Sequence, residues 1–182
     1  MPITLNGSGT VSGISAGGLP DGIIQSADLA TGVNLGKILQ YKVTNKTDQS
    51  SINTTTPAAI PNFSVTITPT ASNSTMIVRA SCFYSINGNV VCSRIYNGTS
   101  FLIQPNSFPS PDHQSGSSSC YTTTAYMMQQ NILAYETSSN TNSRTYNVYW
   151  STTGSGTGYI NRWHGYDGYH SVSTLEVIEV AA

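Results

Sequence analysis

Apolar and polar residues alternate along most of the chain after residue 36. The segments FSVTI at 63–67 and YNVYW at 146–150 alternate without interruption. A period of two turns one face of a strand toward a core and the other toward solvent. Both segments therefore predict β-strands that are buried on one side.

The same pattern predicts about nine short strands separated by Gly, Pro, Asn and Ser. They cover residues 37–44, 63–67, 76–86, 89–96, 99–104, 120–135, 144–151, 157–163 and 171–180. No helix of useful length is predicted. Many short strands with turn residues between them are typical of an antiparallel β-sandwich, barrel or jelly roll. The sequence therefore predicts an all-β fold and leaves the order of its strands open.

The Asn-Gly dipeptide at 87–88 favours a two-residue type I′ turn, so the strands on either side are predicted to pair as a hairpin. That register places Phe83 opposite Cys92, and the side chains of Cys82 and Cys92 then lie on opposite faces. A disulfide between these two is therefore not expected. With Cys120 the count is odd and no CxxC spacing occurs, which favours buried free cysteines over a zinc site.

Charge is scarce along the chain. Only 8% of the residues are charged, against about a quarter in an ordinary soluble domain, and the formal net charge is −1. The seven basic residues are scattered singly, whereas nucleic-acid binding needs clustered Lys and Arg. No apolar run approaches the roughly 20 residues of a membrane-spanning helix. Nucleic acid and membrane insertion are therefore not expected.

Residues 1–36 differ in composition from the rest. Eight of the 16 glycines lie here, so ordering this segment is entropically costly and offers little apolar area in return. Aliphatic residues are nevertheless spaced along it: Ile3, Leu5, Val11, Ile14 and Leu19. We predict an extended arm (1–36) that anchors these side chains on a partner surface, followed by a head domain (37–182). A flexible linker is the alternative.

Aromatic, charged and histidine residues are concentrated between the last two predicted strands. The candidate site residues are Arg162, Trp163, His164, Tyr166, Asp167, Tyr169 and His170. Rings that stack on sugar faces, with Arg and Asp reaching hydroxyls, would form a glycan site. Packing at the apex of an oligomer is a second use. A metal held by His164, Asp167 and His170 is a third, although such ligation needs converging side chains and supporting partners.

Motifs for catalysis are missing from the sequence. Glycoside hydrolysis needs two carboxyl groups with opposed environments, whereas Glu176 and Glu179 are predicted to lie on opposite faces of one strand. No nucleophile elbow, phosphate-binding loop or dinucleotide fingerprint occurs. We therefore expect no enzyme activity and no cofactor.

Several segments together resemble a known family. The opening ITLNGSGTVSGISAGGLPDGIIQSADLATG, the middle FSVTITPTASNSTMIVRASCFYS and the end RTYNVYWSTTGSGTGYINRWHGYDGYHSVSTLEVIEVAA are similar to tail-fibre and head-fibre structural proteins of marine and freshwater tailed phages. The resemblance spans essentially the whole chain. It implies a virion surface protein with an antiparallel jelly-roll head, similar in shape to complement-type and tumour-necrosis-type trimers.

The resemblance also implies partners. It predicts a homotrimer attached to phage capsid or tail proteins through the N-terminal arm. No long repetitive shaft separates arm from head, which favours a capsid decoration or head-fibre subunit. The alternative is a short tail fibre whose tip recognises host surface glycans.

Overall fold

A computed structural model describes residues 37–103, 117–122 and 126–182, with backbone alone for 120–122. This part of the chain contains thirteen strands and no helix. They are β1 (Ile38–Lys46), β2 (Ser50–Ile52), β3 (Ala58–Ile67), β4 (Thr75–Ser85), β5 (Asn89–Tyr96), β6 (Phe101–Leu102), β7 (Ser118–Thr122), β8 (Met128–Thr137), β9 (Arg144–Thr152), β10 (Gly158–Ile160), β11 (Arg162–Trp163), β12 (Tyr166–His170) and β13 (Ser173–Val180).

The strands form two antiparallel sheets and a small ribbon. The first sheet is centred on β4. Strands β13 and β10 pair with successive parts of one edge of β4, and β8 pairs with the other edge. Strand β1 pairs with β13, and β2 pairs with β10. The second sheet joins β3, β9 and β5, with β6 and β7 along the remaining edge of β5. Among the residues that the structure describes, strands β11 and β12 pair only with each other. The predicted all-β antiparallel sandwich is confirmed.

The core lies between the two sheets. Every second residue of β4, from Met76 to Tyr84, is buried, and the alternating positions of β9 face them. The ring of Tyr84 stacks on that of Trp150 with 5.9 Å between centroids, which joins the first sheet to the second. Burial of such large side chains stabilises the fold by roughly 1.5–3 kcal/mol each.

The predicted hairpin at 87–88 is wrong. Strands β4 and β5 belong to different sheets, so the chain crosses the sandwich between them and Phe83 does not pair with Cys92. A type I′ turn needs a positive φ at both central residues, whereas only Gly88 has one, at 69°. The side chain of Ile86, completely buried before the turn, packs in the core that the crossing closes.

Burial of two cysteines is as predicted. Cys82 is a free cysteine in the core, and desolvation raises the pKa of its thiol to about 12. Cys92 is buried on the other sheet and forms no disulfide with Cys82. The side chain of Cys120 lies outside the described residues.

The predicted strand over 120–135 is divided between the two sheets, as β7 and β8. Strands β2 and β12 were not predicted. The anchor residues predicted in the arm lie outside the described residues, namely Ile3, Leu5, Val11, Ile14 and Leu19. Within the described ranges, no helix long and apolar enough to span a membrane occurs.

One buried carboxylate links β13 to β1 and to the connection between β3 and β4. Glu179 of β13 is fully buried, and its oxygens accept hydrogen bonds from the Thr70 backbone N–H (2.7 Å) and the Ser74 hydroxyl (2.7 Å), and from the Gln40 amide (2.6 Å). Burial alone would raise the pKa of Glu179, but hydrogen bonds from Ser74, Thr70 and Gln40 outweigh it and hold that pKa below its ordinary value. Glu176 faces the opposite side of the strand, as predicted.

This network makes stability depend on pH. Because the pKa of Glu179 is lowered on folding, its contribution is complete above the unfolded pKa of about 4.3 and is lost as pH falls through the lower folded value. We expect Glu179→Gln to reduce the free energy of unfolding at pH 7 by about 2 kcal/mol, the scale of a hydrogen bond to a charged group. Urea titrations of both proteins from pH 7 to pH 2 measure this.

The variant should show less acid dependence than wild type. The control is Asp167→Asn, because the carboxylate of Asp167 is largely exposed and surface ion pairs contribute little. Parallel pH profiles for Glu179→Gln and wild type would contradict the assignment.

Candidate functional site

Most candidate site residues lie on the β11–β12 ribbon, outside both sheets. The five residues of β12 are all exposed. Strands β11 and β12 pair with an irregular register in which Arg162 lies opposite His170 and Trp163 opposite Tyr166. A two-stranded ribbon is only marginally stable in water by itself, so contacts with the sandwich must position it.

Asn161 fixes the base of this ribbon. It has a left-handed φ of 59°, which asparagine tolerates better than most residues. Its side-chain amide donates to the carbonyl oxygens of Lys46 (2.7 Å) and Asp48 (3.1 Å), and its side-chain oxygen accepts from the Ser173 hydroxyl at 2.6 Å. Its backbone N–H donates to the Phe83 carbonyl at 2.8 Å. The start of the ribbon is thereby tied to β1, β4 and β13.

Three rings cluster on the ribbon. Centroid separations are 5.6 Å for Trp163 and Tyr169, 5.7 Å for Tyr166 and Tyr169, and 6.4 Å for Trp163 and Tyr166, all edge-to-face. Tyr166 and Tyr169 are 58% and 60% exposed. A Cβ at Gly168 would overlap the Tyr166 ring, so only glycine allows that ring to lie across the strand. The cluster is held together and still presents two rings to solvent.

The charged residues of the ribbon pair with each other. The guanidinium of Arg162 forms an ion pair with the carboxylate of Asp167 and lies 4.6 Å from the ring centroid of Tyr159. The ring of His164 also packs on Tyr159, at 5.4 Å between centroids. Beside them is a cleft of about 260 Å³ lined by Gln49, Ser50, Ser51, Tyr159 and Arg162. Rings and hydrogen-bonding groups therefore lie side by side.

The metal hypothesis fails on geometry. Among the described residues, no group of three His, Cys, Asp or Glu side chains is placed to hold an ion. His164 packs on Tyr159, and Asp167 pairs with Arg162. Of the predicted site residues, the structure brings together the three rings and the ion pair, whereas His164 and His170 do not join a ligand set.

A second surface was missed by sequence reasoning. The outward side of the first sheet carries an apolar row in which Tyr41 pairs with Ile178, Ile178 with Ile77 and Ile77 with Tyr135. In the next row, Val43 and Leu133 flank Glu176 and Arg79. We call this surface the outer apolar face, formed by Tyr41, Val43, Ile77, Leu133, Tyr135 and Ile178.

Four of the six residues of the outer apolar face are exposed, and Ile77 and Ile178 are half-buried. Tyr41 is 56% exposed, Val43 46%, Leu133 60% and Tyr135 64%. The signal was present in the sequence, because neighbouring residues such as Ile132 and Leu133 are both apolar where strict alternation would place a polar residue. Apolar residues on both sides of a strand indicate that both sides become buried.

The charges on this face satisfy one another. Arg79 and Glu176 form an ion pair at 3.2 Å, and the Tyr41 hydroxyl donates to Glu176 at 2.8 Å. That hydrogen bond is the main reason why the pKa of Tyr41 is raised. Burial of the face would therefore leave none of these charges unpaired, and its electrostatic cost would be the desolvation of the ion pair.

Fold and surfaces together define an all-β sandwich protein with an exposed apolar sheet and an aromatic ribbon. Among solved structures, the chain is similar to a chain in the structure of infectious bursal disease virus, Gx strain, with 18% identity and a TM-score of 0.34. The alignment covers 80% of this chain and 38% of the viral chain. No protein-family model and no curated protein matches the chain. A similarity of this extent carries no inference about function.

Proposed function

We propose that this chain is a non-enzymatic structural subunit on the surface of a tailed-phage particle, and that it assembles as a homotrimer through the outer apolar face. The observation that carries the proposal is the exposure of this face. The resemblance of the sequence to fibre proteins supports the phage particle, and the low charge is typical of an assembled surface protein.

The face has the dimensions of an interface core. Four strands at about 4.8 Å spacing and the two rows of the face, about 6.8 Å apart, give an area on the order of 260 Å². A standard interface takes about 800 Å² from each partner, with an apolar centre and a polar rim. The neighbouring row supplies such a rim with Asn45, Thr174, Ser81 and Asn131.

Three copies suit this geometry. In the described part of the chain, β1 pairs only with β13 and β8 only with β4, so the sheet that carries the face has an open edge on each side. In a three-fold ring, the outer apolar face of each copy contacts a surface of the next copy other than that same face, and the ring closes after three copies. Face and edge are then covered together, which removes two surfaces prone to aggregation.

The site of attachment has two candidates. A capsid decoration or head-fibre subunit, anchored by the arm 1–36, is the first. A short tail fibre that recognises host surface glycans is the second, and the exposed rings of Tyr166 and Tyr169 favour it.

A charge on the outer apolar face should prevent assembly. Leu133 lies opposite Arg79, whose charge Glu176 already neutralises, so Leu133→Glu adds an uncompensated carboxylate that would have to be desolvated in an interface. We expect wild type to have the mass of a trimer and the variant that of a monomer, measured by light scattering after gel filtration.

Val172→Glu is the matched control. Val172 is 48% exposed and lies outside this face, so its variant should remain trimeric. A monomeric wild-type protein, or a Leu133→Glu variant that is still a trimer, would reject the outer apolar face as the interface.

The arm can be tested separately. We expect deletion of residues 1–36 to leave the trimer intact and to abolish binding to purified particles, measured by co-sedimentation. Replacing Ile3, Leu5, Val11, Ile14 and Leu19 with Ser should have the same effect without shortening the chain, if single apolar anchors carry the attachment. Undiminished binding by the deleted protein would show that the arm is not the anchor.

A further inference from the structure

We propose that the β11–β12 ribbon, together with the cleft beside it, binds the ring face of a neutral saccharide. This inference does not depend on self-association through the outer apolar face, since it concerns other residues and is measured on the assembled protein.

The exposed rings provide the platform. Tyr166 and Tyr169 keep more than half of their surface in water, although their centroids are only 5.7 Å apart. Tyr84 and Trp150, whose rings join the two sheets, are by contrast almost completely buried. Aromatic faces contact the C–H faces of a sugar ring, and the tyrosine hydroxyls remain available for hydrogen bonds. The cluster therefore offers apolar area and polar groups at one place.

The cleft provides hydrogen-bonding groups at the edge of this platform. Its lining includes Gln49, Ser50 and Ser51, residues whose side chains carry an amide or a hydroxyl, and Arg162 belongs to both cleft and ribbon. A volume of about 260 Å³ lies just below the roughly 300 Å³ at which small-molecule sites begin. The cleft therefore suits one sugar residue, such as the end of a longer glycan, better than a larger ligand.

Two buried donors lie at the start of the ribbon, and one of them belongs to the lining of the cleft. The Arg162 Nε and the Trp163 Nε1 atoms are buried and have no hydrogen-bond partner among the described residues. A buried donor without a partner costs about 1–3 kcal/mol. Arg162 is 27% exposed at its side chain and lines the cleft, so its unpartnered Nε–H lies beside the proposed site.

Charge selects the class of saccharide. The ion pair between Arg162 and Asp167 leaves no net charge on the pair, and the side chain of Asp167 is 76% exposed. Its carboxylate can accept hydrogen bonds from sugar hydroxyls, and because the guanidinium is already paired, the pair has no net positive charge to attract an acidic sugar. Neutral hexoses and N-acetylhexosamines are therefore the expected ligands.

Saturation-transfer NMR on the full-length protein tests the inference. The probes are the methyl glycosides of galactose, glucose, mannose and N-acetylglucosamine, with N-acetylneuraminic acid as the acidic comparison. We expect transfer to the ring C–H protons of at least one neutral glycoside on saturation of the aromatic protein resonances, and weaker transfer to the acidic sugar.

Two variants locate the site. Tyr169→Ala removes one ring, and Gly168→Ala displaces the Tyr166 ring without removing it. Each should reduce the transfer about fivefold or more, the scale expected when one aromatic contact is lost. Tyr135→Leu is the control, because it removes a similarly exposed tyrosine from the outer apolar face while leaving that face apolar.

Three results would overturn the proposal. They are no transfer to any of the four neutral glycosides, transfer to N-acetylneuraminic acid alone, and full transfer in Tyr169→Ala. Light scattering on the same samples adds a fourth. If Tyr169→Ala dissociates the assembly, the ribbon is a contact between copies rather than a saccharide site.

Discussion

The hydrogen bonding of β4 along both of its edges constrains the rest of this structure. Because β4 is hydrogen-bonded to β13 and β10 on one side and to β8 on the other, its side chains can point in only two directions. Met76, Val78 and Tyr84 face the second sheet and build the core. Ile77 and Arg79 face outward, so their neighbours in adjacent strands form the outer apolar face. One pairing pattern therefore determines the core and the main exposed surface together.

The aromatic ribbon depends on the same strand. Asn161 donates its backbone N–H to the Phe83 carbonyl on β4. Its side-chain amide donates to the Lys46 carbonyl at the end of β1, and its side-chain oxygen accepts from the Ser173 hydroxyl. In a chain with 8% charged residues, many of the polar contacts between described residues come from neutral amides and hydroxyls such as these. Such contacts are directional, so they orient a ribbon that has too little buried area to orient itself.

Sequence patterns predicted local features better than long-range ones. Alternation located nearly all the longer strands, since it reports which residues face a core. The Asn-Gly dipeptide correctly indicated a turn at 87–88. It did not indicate that the next strand lies in the other sheet, because a local turn signal carries no information about long-range strand pairing. Likewise, the aromatic residues of 162–170 were recognised as a candidate site, whereas their division into a ring cluster and an ion pair depends on Asn161 and the irregular register of the ribbon. The outer apolar face depends on cross-strand register among four strands, which no local pattern contains.

Hydroxyl-radical footprinting of the wild-type protein tests most directly whether the outer apolar face is an interface. In the single chain, Tyr41 and Tyr135 of that face are 56% and 64% exposed, and Tyr166 and Tyr169 of the ribbon are 58% and 60% exposed. The four tyrosines would therefore oxidise at similar rates in a monomer. If the outer apolar face is an interface, Tyr41 and Tyr135 are protected in the assembled protein while Tyr166 and Tyr169 react freely. Equal oxidation of all four would contradict such an interface.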